Sequence, residues 1–190
     1  MAEVRLDIGC GRSKFAGTLG VDISPVQGVD VAADLSRGLP FRDNSVDAIY
    51  TSHTLEHMPD LIAAMEELWR VCKDGALVNI WVPHASCPFT TWIDPTHQRG
   101  VTIETFSYFN PASNHLSYYS RARFTIEYAR LHLSTIGMRR AGFRRSRGLI
   151  AAAVESVANR SRSWQYRAER WWAPMIGFDE AHVVLRAHKS

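Results

Sequence analysis

The sequence predicts a doubly wound α/β domain with a mostly parallel sheet, and three observations predict it. Short apolar runs alternate with one clearly amphipathic helical stretch. Those runs end in glycine or polar residues, where the carboxyl ends of parallel strands place their binding loops. The 190 residues, 46% hydrophobic and 22% charged, suit one domain able to bury its own core.

Residues 4–8 form a buried-strand run that stops at the Gly9-Cys10-Gly11 turn. A second strand over 19–23 closes on Asp22, and 29–33 is an irregular edge running into Asp34. Ten residues separate Gly11 from Asp22, fewer than a crossover with a full helix needs, so the first helix is expected to be short or irregular. Residues 46–51 read as another buried strand. From about 60 to 72, Leu61, Met65, Leu68 and Cys72 fall on one helical stripe, and Lys73-Asp74-Gly75 supplies a helix stop. Residues 76–82 are β-rich and end at Pro83, which cannot continue a central strand. Beyond it, 83–120 is irregular and aromatic, a length typical of a lid or substrate-binding insertion. Residues 123–133 alternate as a strand does, 150–172 look helical, and 182–187 form a last strand. The organisation expected is a single domain: a cofactor-binding half at 1–82, the insertion at 83–120, and C-terminal strands with a basic aromatic helix at 121–190.

Charge is divided unevenly. Residues 1–120 carry 8 Lys/Arg against 14 Asp/Glu, and 121–190 carry 14 against 5, so the halves are −6 and +9. A basic segment attracts anionic partners, although an arginine-rich helix face is also an ordinary solvated surface. Cys10, Cys72 and Cys87 are odd in number and lack C-x-x-C spacing, which suggests a reducing compartment. With no apolar run of signal-peptide or membrane-span length, a cytoplasmic protein is expected.

Chemistry concentrates at the strand ends. Leu6-Asp7-Ile8-Gly9-Cys10-Gly11 is an acidic strand end followed by G-x-G, whose missing β-carbons let backbone approach a ligand. Gly20-Val21-Asp22-Ile23 puts an acid at the tip of the next strand, where a carboxylate can accept both ribose hydroxyls. Next come Ala33-Asp34-Leu35, Leu39-Pro40-Phe41, Ser45-Val46-Asp47-Ala48-Ile49-Tyr50, His53-Thr54-Leu55-Glu56-His57 and Leu68-Trp69-Arg70-Val71-Cys72-Lys73-Asp74-Gly75. In this order, from residue 4 to about 109, the sequence resembles the class I S-adenosylmethionine-dependent methyltransferases.

The resemblance implies a Rossmann-like seven-stranded sheet with an antiparallel C-terminal strand, and S-adenosyl-L-methionine as cofactor. It implies that Asp7, Gly9 and Gly11 hold the methionine portion, that Asp22 with Ile23 holds the ribose, and that Asp34 with the Leu35 backbone holds the adenine. Ser52 and His53 would border the sulfonium, and His57 would belong to the same cofactor site. The D-P-T-H-x-R and T-F-x-Y-F elements of the resembling subgroup are matched at 94–99 and 105–109.

For the reacting centre, His84, Asp94 and His97 stand just beyond a strand end. Transfer to a hydroxyl needs a base near neutral pKa, which suits His97 or His84 with Asp94 orienting one of them. The same three could instead hold a divalent metal, but their spacing matches no strong metal motif and none is expected. Trp81, Phe89, Trp92, Phe106, Tyr108 and Phe109 are candidate walls of an acceptor pocket. Arg99 is placed to pair with an anionic acceptor or with Glu104. Trp164, Arg167 or Ala168, and Trp171 share a helical stripe, the signature of a packing face or of a homodimer contact. The function expected is O-methylation of a small molecule or glycan precursor, anionic or aromatic. The alternatives are an RNA methyltransferase, which lacks a recognisable RNA-binding module, and a non-catalytic cofactor-binding subunit.

Overall fold

A computed structural model describes residues 3–110, 112, 117–133 and 146–189, with backbone alone for 117 and 146–148. Arg139, Arg140, Arg144 and Arg145 of the basic segment, and positions 111 and 113–116 of the expected insertion, lie outside the described residues.

Seven strands form one sheet: β1 (Arg5–Ile8), β2 (Leu19–Asp22), β3 (Val31–Ala32), β4 (Val46–Ser52), β5 (Cys72–Pro83), β6 (Phe124–His132) and β7 (Glu180–Ala187). Their order across the sheet is β3-β2-β1-β4-β5-β7-β6. The β1–β5 ladders are parallel, and β7 runs antiparallel to both β5 and β6, so the predicted mixed sheet is observed. Chain order reverses beside β1: from there the chain first moves outward to β2 and β3, then returns to β4 on the other side. Such a switch point opens a crevice at the strand carboxyl ends.

Alternation within the strands divides the sheet into two unlike faces. Leu6, Ile8, Ile49, Val78, Ile80, Val82, Val183 and Leu185 form the fully buried core. Helix α1 (Leu61–Val71) covers this core with Leu61, Met65 and Leu68, and it begins where the Asp60 carboxylate accepts the Ala63 N–H. Two short helices follow, α2 (Pro88–Trp92) and α3 (Ile103–Ser107), and α3 adds Ile103 and Phe106 to the core. The opposite face carries a half-exposed aromatic row. Phe15 lies over Tyr50 and Trp81, His182 stacks on Trp81 with ring centroids 4.2 Å apart, and Tyr128 follows. The expected short first helix is reduced further: residues 9–18 are turns and loop, and Phe15 supplies apolar cover beside that crossover.

Two sequence expectations are corrected here. The helix stop is not Lys73-Asp74-Gly75: α1 ends at Val71, because Cys72 already has strand geometry (ψ 140°) and pairs with Val46. Gly75 (φ 77°) instead sits where the ladder slips between Val46 and Ala48. Nor is 150–172 one helix. It divides into α4 (Ser146–Ala158), α5 (Arg162–Arg167), a π-helical turn (Ala168–Trp172) and α6 (Ala173–Ile176), the break being set by Ser161 capping α5. The π turn inserts an extra residue, so Trp164 meets Trp172, at 5.8 Å, while Trp171 is left exposed. The inward stripe is therefore Gln165, Ala168 and Ala173. Among the described residues no helix is long and apolar enough to cross a membrane.

Candidate active site

The loop after β1 is built by hydrogen bonds to the first two acidic strand ends. Asp7, buried, accepts the Phe15 N–H at 2.8 Å; burial pushes its carboxyl pKa up, against the pull of that hydrogen bond and of Lys14. Asp22 accepts the Gly11 N–H at 2.8 Å through Oδ2 and the Ser24 N–H at 2.9 Å through Oδ1. Each of its oxygens keeps a further lone pair, enough to receive two hydroxyls. Gly9 has φ +74° and no room for a side chain, since a β-carbon there would stand 2.0 Å from Thr54 Oγ1.

A cavity of about 230 Å³ lies against this loop. Its apolar walls are Ile8, Val21, Ile23, Ala33, Leu35 and Met58, its polar edges Gly9, Asp22, Asp34 and Thr54. Asp34 caps the following turn by accepting the Ser36 N–H and hydroxyl, and the hydroxyl is the main reason its pKa is lowered. Apolar walls between separated carboxylates suit an adenosine: Asp22 to the sugar, Asp34 to the edge of the base, Gly9 to close backbone approach.

A second cavity of about 910 Å³ opens beside it, lined by His53, His57, Phe89, Ile93, Asp94, His97, His132, Glu155 and Glu180, among others. His53 and His57 belong to both cavities and mark their junction. His53 holds a left-handed backbone conformation (φ 52°), uncommon outside glycine, and its ring reaches Glu180 at 3.0 Å and Glu56 at 3.4 Å. Glu180 and then Glu56 raise its pKa to about 9, so at neutral pH it carries a proton.

Across the junction His57 and His97 meet edge to face, with ring centroids 4.6 Å apart. His97 Nδ1 bonds the Thr91 carbonyl at 2.6 Å, and His57 Nδ1 bonds the Thr96 hydroxyl at 2.9 Å. That hydroxyl donates in turn to Asp94 at 2.6 Å. Asp94 thus orients His57, through Thr96, and not His97 or His84 as the sequence suggested; the same hydroxyl is the main cause of its lowered pKa.

Residues 6–80 match the family model described as "Methyltransferase domain". Residues 6–80 are thus similar to a methyltransferase domain, and the sheet has the Rossmann-like fold of the class I methyltransferases. The chain is 50% identical over 50 residues to demethylmenaquinone methyltransferase of Roseiflexus sp. (strain RS-1), covering 26% of this chain and 21% of that protein. It is 30% identical over 148 residues to an uncharacterized methyltransferase of Mycolicibacterium paratuberculosis (strain ATCC BAA-968 / K-10), covering 67% of this chain and 50% of that one. The chain thus spans half or less of these curated relatives. Among solved structures, a SAM dependent methyltransferase from Archaeoglobus fulgidus aligns over 97% of this chain and 86% of its own with a TM-score of 0.57. At 20% identity that likeness concerns the fold. S-adenosylmethionine is the cofactor of this class.

Within the matched residues, Gly9, Asp22, Ile23, Asp34, Leu35, His53 and His57 come together around the smaller cavity. Asp7, Gly11 and Ser52 do not line it. Asp7 and Gly11 are occupied in building the loop, and the Ser52 carbonyl accepts from Thr54.

His84 is a clear departure. It is 1% exposed and outside the larger cavity, with Nδ1 on Ser86 at 2.7 Å and Nε2 on Glu169 at 2.9 Å. Both ring nitrogens are engaged, Nδ1 locally and Nε2 tying the end of β5 to the π turn, and His84, Asp94 and His97 do not form one cluster. The aromatic wall is corrected too. Phe89 lines the larger cavity, whereas Phe106 and Phe109 are core residues and Trp81 lies on the aromatic row. Arg99 neither lines the larger cavity nor pairs with Glu104: its guanidinium donates to the Met58 and Pro59 carbonyls, and Glu104 pairs with Arg162.

Sequence reasoning missed Glu56, Thr91, Thr96, His132 and Glu180. Glu56 stood within the quoted His53–His57 motif, but nothing in its spacing showed that a 3₁₀ turn (Leu55–His57) would bury it. Glu180 and His132 enter from strands far along the chain, with no local signal.

Proposed function

We propose that the chain transfers a methyl group from S-adenosylmethionine to a hydroxyl of a small acceptor held in the larger cavity. The observation that carries this reading is the sharing of His53 and His57 between the two cavities, which sets a nucleophile in one against a cofactor in the other. Proximity of that kind is the principal need of an in-line displacement.

S-adenosylmethionine supplies an electrophilic methyl when bound. The Asp22 carboxylate holds the ribose hydroxyls, Asp34 the edge of the adenine, and Gly9 admits the ligand to backbone. A hydroxyl acceptor must lose its proton as it attacks. His97 and His57 are the groups to take it, since each donates Nδ1–H to an oxygen and keeps a lone pair on Nε2. His53, already protonated and held between Glu180 and Glu56, is not available as the base. Asp94, Glu155 and Glu180 in the wall, with Arg99 turned away, favour a neutral or cationic acceptor over the anionic one expected from Arg99.

Calorimetry should find one S-adenosylmethionine bound per chain. Asp22→Ala should weaken it about 10- to 100-fold, the worth of one or two hydrogen bonds to a charged group. A screen of small hydroxylated acceptors, read by S-adenosylhomocysteine formation, should find turnover that His97→Ala reduces by about 100-fold. A folded chain that does not bind the cofactor, or one in which Asp22→Ala binds it normally, would overturn the reading.

A further inference from the structure

We infer that Glu56, His57 and His97 form a site for one divalent transition-metal cation, set in the wall where the two cavities meet. One donor atom from each of the three lies within 4.8 Å of the others.

The strongest sign is Glu56. It is 1% exposed, and neither of its carboxylate oxygens has a hydrogen-bond partner. The basic groups nearest Oε1 are His53 Nδ1 at 3.4 Å and His97 Nε2 at 3.9 Å. The protonated His53 at 3.4 Å offsets only part of the cost of burying this carboxylate, and Oε2 is left with no partner, where buried carboxylates are ordinarily hydrogen-bonded or bound to metal.

Ring tautomers point the same way. The Thr91 carbonyl can only accept, so His97 Nδ1 carries the hydrogen and its Nε2 the lone pair. The single proton of the Thr96 hydroxyl goes to Asp94, so Thr96 accepts from His57 Nδ1–H and leaves that ring's Nε2 lone pair open. A carbonyl on one imidazole and a hydroxyl–carboxylate pair on the other are the outer partners that fix ligating histidines. Asp94, a candidate ligand from the sequence, thus serves as an outer partner, and His84 has no part.

Two imidazole nitrogens with one carboxylate oxygen suit zinc and its first-row neighbours, whereas magnesium and calcium prefer oxygen alone. Zinc bonded at about 2.0–2.2 Å sets donors roughly 3.3–3.5 Å apart, so the three side chains need to close by about 1 Å. Three protein ligands leave a position open for a water or an acceptor oxygen.

The site itself does not depend on the proposed reaction; its use does. In the loaded protein His57 and His97 are ligands and take no proton. The cation would lower the pKa of a hydroxyl bound at the open position, so that its proton could pass to solvent water as the oxygen attacks.

The test uses the full chain after chelator treatment. Elemental analysis and competition titration with Zn²⁺ should give one equivalent per chain. Co²⁺ should give the visible absorption of nitrogen and oxygen ligation, and Mg²⁺ should not compete. Glu56→Gln, which keeps the shape of the side chain, and His97→Ala should each weaken Zn²⁺ binding by at least about tenfold. S-adenosylmethionine calorimetry on the same samples tells a failed metal site from a failed cofactor site. Absence of a stoichiometric equivalent, or an equivalent undiminished by Glu56→Gln, would overturn the proposal.

Discussion

Replacing His84 with alanine is expected to cost about 3–5 kcal/mol of folding free energy, about 1.5–3 for the hydrogen bond lost to a buried carboxylate and the rest for the cavity left by a buried ring. In a domain of this size that lowers the melting temperature by roughly 6–20 °C. The Glu169 side chain is 7% exposed; its Oε1 accepts from the Ile103 N–H at 2.7 Å and bonds His84, while its Oε2 has no hydrogen-bond partner. Without the imidazole, the backbone N–H is all that remains of this arrangement, and the links among β5, α3 and the π turn weaken together. The pair is structural, so S-adenosylmethionine affinity per folded molecule should stay within about twofold at low temperature. Denaturant unfolding beside calorimetry checks both. A melting temperature within 2 °C of the parent, or a selective loss of turnover in a stably folded variant, would return His84 to the chemistry.

Gly9→Ala carries the second large effect. The added methyl would lie 2.0 Å from Thr54 Oγ1 and 2.8 Å from its Cγ2, on a backbone at φ +74° that side chains adopt at a cost of about 1–2 kcal/mol. Relieving such overlap typically adds 1–3 kcal/mol, so about 2–5 kcal/mol is expected in all. Because Gly9 and Thr54 both line the smaller cavity, cofactor binding should fall as well. Pairing the change with Thr54→Ala should recover the part due to overlap and leave the backbone part. Equal stability of Gly9→Ala and the parent would show that the loop after β1 is not held as described.

The aromatic C-terminus shows where local pattern stops being informative. Trp164 and Trp171 are seven residues apart, which in an α-helix means one face. A one-residue π insertion moved that relation to Trp172 and left Trp171 exposed. Arg99 makes the same point. Its chemistry suits an anion, but the chain carries it beside the Met58 and Pro59 carbonyls, and geometry decided the matter.

From sequence alone, the parallel sheet, its strand ends and the residues around the smaller cavity were within reach. Strand periodicity, G-x-G and the acids at Asp22 and Asp34 act over a few residues and do not depend on distant packing. The larger cavity was not, because His53, His97, His132 and Glu180 come from four regions of the chain and only the assembled sheet sets them facing one another. Burial of Glu56, the engagement of His84 by Glu169 and the two open imidazole nitrogens likewise follow from which surfaces exclude water once strands and helices have packed. A residue's type limits the chemistry it can do; its neighbours in space select among those possibilities.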